Sequence, residues 1–149
     1  MDVRFSWPVI WMAALAHGVA AVVAITAGFL FVPALSVVAG ARTTAALSLA
    51  AATSLHIAVA AVFAIAMRRL DATALTCVVN LFVARLPTLM IGLLLGWVGV
   101  GVVGAPSRTD AGSGLLLQAG MQAGWALLSV VAGVLLGLLW VRVRDGAAE

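Results

Sequence analysis

The chain has 149 residues, of which 65% are hydrophobic and only 9% charged, and its formal net charge is +3. If a chain of this length crosses a membrane several times, it has no room left for a soluble catalytic domain. Its basic residues are all arginines and lie mostly at the ends of apolar segments, a distribution that favours membrane orientation and excludes a nucleic-acid-binding patch.

Four apolar segments follow one another along the chain. The longest charge-free stretches lie between residues 4 and 42, 42 and 68, and 110 and 142, and the mean hydropathy of the whole chain is +1.25. About 20 apolar residues are enough to span the hydrocarbon core of a bilayer. The sequence therefore predicts an all-α fold, a four-helix transmembrane bundle in a single domain, with spans at about 7–36, 45–67, 72–104 and 115–141.

The first predicted span begins at Trp7, and we expect Pro33 to kink or end it before a turn at residues 40–44. A cleaved signal peptide is the alternative for this region, because residues 14–16 resemble a cleavage site. The apolar run continues well beyond that site, however, as in an uncleaved membrane anchor. The second span ends at Arg68.

The third apolar segment is longer than one crossing requires. As a single helix it would measure about 50 Å, against a hydrocarbon thickness of about 30 Å. Three arrangements fit: a strong tilt, a kink at Pro87, or a split into an interfacial piece at 72–84 and a span at 87–104. A polar loop, APSRTDAGSG, then precedes the fourth span.

The arginines are distributed unequally between the two ends of the predicted bundle. Five lie at the end that holds both termini and two at the other end: Arg4, Arg68, Arg69, Arg142 and Arg144 against Arg42 and Arg108. The positive-inside rule then places both termini in the cytoplasm. Because the chain is rich in Ala, Val, Gly and Arg and lacks Lys and Tyr, we expect a bacterial inner-membrane protein.

Three pairs of glycines, each spaced four residues apart, predict close helix packing: Gly92 and Gly96, Gly120 and Gly124, and Gly133 and Gly137. Helices associate in lipid where small residues let their backbones approach. We expect these pairs to pack the third span against the fourth, with a homodimer interface as the alternative. An alanine stripe in the second span, at 52, 60 and 64, has the same potential.

Six polar residues inside the predicted spans are candidates for a ligand site or a polar core: His17, His56, Asn80, Arg85, Gln118 and Gln122. Counted from the span ends, His17, His56 and Arg85 come to similar depths near the middle of the membrane. The two histidines could hold a haem b, contact a quinone or relay a proton, and structural use in packing is the alternative. The two glutamines share one helix face and are expected to form hydrogen bonds with a facing helix, and the alternative is that they line a polar vestibule.

Arg85 is permanently charged, and no Asp or Glu lies inside any predicted span. Its partner must therefore be a carbonyl freed at Pro87, the Asn80 side chain, a lipid phosphate, an anionic ligand or a carboxylate of another subunit. If the third segment splits, Arg85 reaches the lipid head groups instead. The lack of buried carboxylates argues against a proton-coupled drug antiporter.

No catalytic motif is present: there is no HExxH, no glycine-rich phosphate loop, no nucleophile beside a base and no carboxylate pair. The lone Cys77 excludes a metal site built from several thiolates. We expect no enzymatic activity, no metal and no cofactor. The predicted role is an accessory or assembly subunit whose partner is another membrane protein or a second copy of the chain. The alternatives are a redox-complex anchor that binds haem or quinone, and a small transporter or channel in which Arg85 attracts anions.

Arg68 and Arg69 form a basic loop between the second and third spans, and the polar positions from Asn80 to Arg85 lie early in the third span. With the four-span layout, this arrangement is similar to the small accessory proteins encoded with bacterial ATP synthases. The similarity covers only these residues and the layout, and no function is transferred from it.

Overall fold

The computed structural model describes residues 3–103 and 108–147, without the side chains of residues 95–115 and 118. Four helices occupy these ranges: α1 (Trp7–Ala39), α2 (Ala41–Arg68), α3 (Ala74–Val103) and α4 (Arg108–Gly146). Each contains a stretch that is long and apolar enough to cross a membrane. The predicted all-α, four-helix transmembrane bundle is confirmed.

The helices follow the order α1, α2, α4, α3 around the bundle. α2 packs against α4 and α1, and α3 packs against α1 and α4. The residues before α1 lie against the start of α3, and the end of α4 adjoins the end of α2. We call this end of the bundle the basic end, because it carries Arg4, Arg68, Arg69, Arg142 and Arg144.

A single residue, Gly40, joins α1 to α2. Its φ of +79° lies in the left-handed region, which glycine adopts without steric cost. α1 continues through Pro33 to Ala39, so a helix end at Pro33 is wrong. The chain turns at Gly40 as predicted, but the turn does not extend to Thr44, because α2 begins at Ala41. A proline removes one backbone donor from a helix, and membrane helices tolerate this loss. Thr44 closes the first turn of α2, where its hydroxyl donates to the Gly40 carbonyl over 2.9 Å.

The third helix is continuous, and the fourth is longer than the sequence indicated. α3 runs unbroken from Ala74 through Pro87, so the predicted split into an interfacial piece and a span is wrong. A break inside apolar surroundings would leave backbone groups unpaired on both sides, which a continuous helix avoids. α4 begins at Arg108 and takes in most of the predicted polar loop.

Two helices, α2 and α4, approach each other closely along a seam. A Cβ added at Gly133 would lie 2.5 Å from the Cβ of Ala60, and one added at Gly137 would lie 2.7 Å from the carbonyl oxygen of Ala61. Backbones approach this closely only where side chains are absent or very small. The prediction that these glycines pack α4 against α3 is therefore wrong. Their partner is the alanine stripe of α2, which includes Ala60 and Ala64.

The other glycine pairs behave differently. Gly120 and Gly124 have open space where a Cβ would project, so the prediction that they pack against α3 is also wrong. Gly92 does face α4, because a Cβ there would lie 3.3 Å from Oε1 of Gln122. The surroundings of Gly96 lie outside the described part of the chain.

Asn80 fastens the start of the chain to α3. Its side chain is fully buried, and its Oδ1 accepts the backbone N–H of Ser6 over 2.9 Å. Its Nδ2 donates to the carbonyl oxygens of Arg4, over 2.9 Å, and Thr76, over 2.8 Å. Asn80 therefore has a structural role at the basic end, where it binds the backbone of the residues before α1.

Candidate ligand site

A cavity of about 650 Å³ lies between the helices, and all four contribute to its wall. We call it the central cavity, because it extends from the middle of the bundle away from the basic end. Its apolar wall is formed by Gly18, Ala21, Val22, Ile25, Leu49, Leu89, Ile91, Gly92, Met121, Trp125 and Ala126, and its polar groups by His56, Arg85, Thr88 and Gln122. A mostly apolar cavity of this size with a few convergent polar groups is typical of a small-molecule site.

The two histidines meet at the side of this cavity. Nδ1 of His17 lies 3.2 Å from Nδ1 of His56, and the ring planes are inclined at 45°. His17 is fully buried, whereas His56 lines the cavity. The buried alanines Ala13 and Ala20, about one turn from His17 on either side, leave α1 and α2 room to approach. One ring must donate and the other accept, so the two neutral imidazoles carry their protons on different nitrogens.

This geometry does not fit the predicted alternative of two axial ligands to one haem. Axial nitrogens bind iron from opposite sides at about 2 Å each, with the macrocycle between the rings. Here the Nδ1 atoms of His17 and His56 face each other within hydrogen-bonding distance, which leaves no space for a porphyrin between the rings.

Arg85 is 8% exposed and extends into the central cavity from α3. Its Nη1 donates to the hydroxyl of Thr88 over 3.1 Å, and that hydroxyl donates back to the Arg85 carbonyl over 2.8 Å. Its buried Nε has no hydrogen-bond partner among the described residues. The expectation that Arg85 could reach the head groups from an interfacial piece is wrong, because α3 is continuous and the side chain is buried.

Among the described side chains, no carboxylate is placed to pair with Arg85. Asp71 and Asp145 both lie at the basic end, away from the central cavity. Asn80, another predicted partner, is occupied by the start of the chain. Arg85 therefore brings to the cavity wall a positive charge that no described residue compensates.

The rest of the polar lining comes from α4. Gln122 is half-buried and rests against Gly92 of α3. The side chain of Gln118 lies outside the described residues. Gln122 lines the central cavity, and the predicted hydrogen bonds of the two glutamines to a facing helix stay a prediction. Nε1 of Trp125 donates to the hydroxyl of Thr53 over 2.8 Å, which ties α4 to α2 beside the cavity.

Of the six polar candidates, the structure brings His17, His56, Arg85 and Gln122 together and separates Asn80 from them. Sequence reasoning missed Thr88 and Trp125. Thr88 follows Arg85 by three residues, a spacing that places both on one helix face. Indoles of membrane proteins usually lie at the ends of spans, whereas Trp125 lies inside one. This unusual position could have identified it as a functional residue.

No family model, curated protein or solved structure matches the chain. The site is therefore interpreted from its own residues.

Proposed function

We propose that this protein binds, inside the bilayer, a small molecule that has an anionic group and an apolar body, and that it catalyses no reaction on this molecule. The observation that carries the proposal is the buried, uncompensated guanidinium of Arg85 on the wall of the central cavity. An unpaired charge in an apolar interior is costly, and such groups usually mark a functional site. An anionic ligand would supply the missing partner.

The composition of the cavity wall supports an amphiphilic ligand. The polar groups of His56 and Arg85 lie at mid-bundle, and apolar side chains such as Val22, Ile25 and Ile91 extend the wall away from the basic end. A neutral quinone could accept hydrogen bonds from this site but would leave the charge of Arg85 uncompensated. We therefore favour an anion.

The charge requirement can be tested with the protein in nanodiscs of zwitterionic lipid. We expect tritiated decanoate to bind saturably in a scintillation proximity assay and unlabelled decanoate to displace it. Decanol has the same apolar body without the charge and should compete at least about tenfold less well, because charge-assisted hydrogen bonds contribute about 1.5–3 kcal/mol. Equal competition by decanol, or no saturable binding, would contradict the proposal.

We further propose that the protein lies in a bacterial inner membrane with the basic end in the cytoplasm. The excess of arginine at that end supports this orientation. In a Cys77→Ala background, Thr43→Cys should react with an impermeant maleimide added to intact spheroplasts. Ala147→Cys should react only after the membrane is opened. The reverse labelling pattern would show that the basic end lies outside the cytoplasm.

A second candidate function is the accessory subunit predicted from the sequence. The observation that favours it is the open space around Gly120 and Gly124, which would let a helix of another membrane protein or of a second copy approach α4. For a second copy, we expect a dimer in detergent by light scattering that the double variant Gly120→Leu/Gly124→Leu converts to a monomer. An unchanged mass would show that this face takes no part in self-association.

A further inference from the structure

We infer that the ligand of the central cavity carries a deprotonated carboxylate, which Arg85 and His56 bind together. His17 fixes the position of the proton on His56. The inference rests on the proposed function, because it takes the central cavity as the binding site. His17 is a positioning residue in this scheme, since it acts only through His56.

The first step concerns the proton between the two rings. The Nδ1 atoms of His17 and His56 are 3.2 Å apart, so one of them carries the proton and the other accepts it. If His17 donates, its Nε2 is a bare acceptor. If His17 accepts, its Nε2 must carry a proton.

The second step chooses between these states. Nε2 of His17 is buried and has no partner among the described residues. Orphaned N–H groups are rarer in protein interiors than acceptors that lack a donor. His17 therefore holds its proton on Nδ1 and donates it to Nδ1 of His56. His56 must then carry its own proton on Nε2, the ring nitrogen that remains for the cavity.

The third step identifies the ligand group. His56 and Arg85 both line the cavity and both carry N–H donors, and only Arg85 is charged. A carboxylate matches this pair, because it carries one negative charge and two acceptor oxygens. The hydroxyl of Thr88 is engaged with Arg85 at both its oxygen and its proton, so it does not compete for the ligand. A protonated acid or an alcohol matches the site less well, because it brings a further hydrogen-bond donor to groups that are themselves donors.

The inference can be tested by ¹⁵N NMR, because the chain contains only two histidines. The protein should be labelled with ¹⁵N-histidine and purified through a tag that contains none. We expect His17 to be protonated at Nδ1 and His56 at Nε2, before and after decanoate is added, and the His56 Nε2 resonance to shift on binding. Protonation of His56 at Nδ1 would overturn the inference.

Two substitutions separate positioning from packing. His17→Asn keeps an amide donor near Nδ1 of His56, so it should preserve the proton on His56 Nε2 and the affinity for decanoate. His17→Phe fills similar space without a donor and should weaken decanoate binding about tenfold or more, with a mixture of proton positions on His56. Equal affinity and an unchanged His56 spectrum in His17→Phe would also overturn the inference.

The failures of the two proposals are distinguishable. Saturable, charge-dependent decanoate binding with His56 protonated at Nδ1 would overturn this inference and leave the proposed function standing. If decanoate does not bind, the proposed function fails in the binding assay, and the carboxylate assignment fails with it.

Discussion

Replacing Gly133 with alanine is expected to lower the free energy of unfolding by about 1–3 kcal/mol, the range for overpacking in a close-packed interior. The new methyl group would meet the Cβ of Ala60 at 2.5 Å and the carbonyl oxygen of Ile57 at 2.6 Å. Neither atom is the end of a flexible side chain, so α2 and α4 would have to separate. The loss should appear as a lower apparent melting temperature in detergent.

Gly124→Ala provides the matched control on the same helix. Nothing lies within 4 Å of the position that its Cβ would take. Because alanine is a better helix former than glycine, this variant should melt at the same temperature as the unchanged protein or slightly above it. If both variants melt at the same temperature, the seam between α2 and α4 is not the tight contact described above.

Arg85→Met is expected to change ligand binding and stability in opposite directions. Without the guanidinium, decanoate affinity should fall by about a hundredfold, because the ligand loses its charged partner. The ligand-free protein should become more stable by about 1 kcal/mol or more, since an apolar side chain replaces a buried charge that has no counter-ion. Saturation binding and thermal unfolding of the same preparation would measure both effects.

A carboxylate engineered into the cavity tests the same charge of Arg85 in a second way. Leu89 lies one turn beyond Arg85 and lines the same wall. Leu89→Glu should pair with Arg85, block decanoate and be tolerated, whereas Arg85→Met/Leu89→Glu should be unstable because the acid then lacks a partner. If Arg85→Met binds decanoate normally and is less stable, Arg85 is a structural residue and not a ligand-binding one.

The number of spans could be predicted from the sequence because lipid imposes a simple requirement: an apolar run must be long enough and free of charge. The same reasoning brought His17, His56 and Arg85 to one depth by counting residues from the ends of the spans. Depth depends only on the rise per residue of a helix, and so it needs no knowledge of which helices are neighbours.

The lateral arrangement could not be predicted in this way. The spacing of Gly133 and Gly137 indicated a close approach, but a small-residue motif does not specify which helix fills the space beside it. Asn80 looked like a partner for Arg85 because both lie on α3, and only the folded chain shows Asn80 bound to the backbone of Arg4 and Ser6. The central cavity depends on residues from four helices at once and has no local signature.

The attachment of the chain start by Asn80 also bears on the order of assembly. Ser6 and Asn80 are 74 positions apart, so a ribosome makes α1 long before the residue that will secure its beginning. The residues before α1 therefore stay without this attachment until the start of α3 has been made. The start of the third helix, not the first hairpin, therefore secures these residues during biosynthesis.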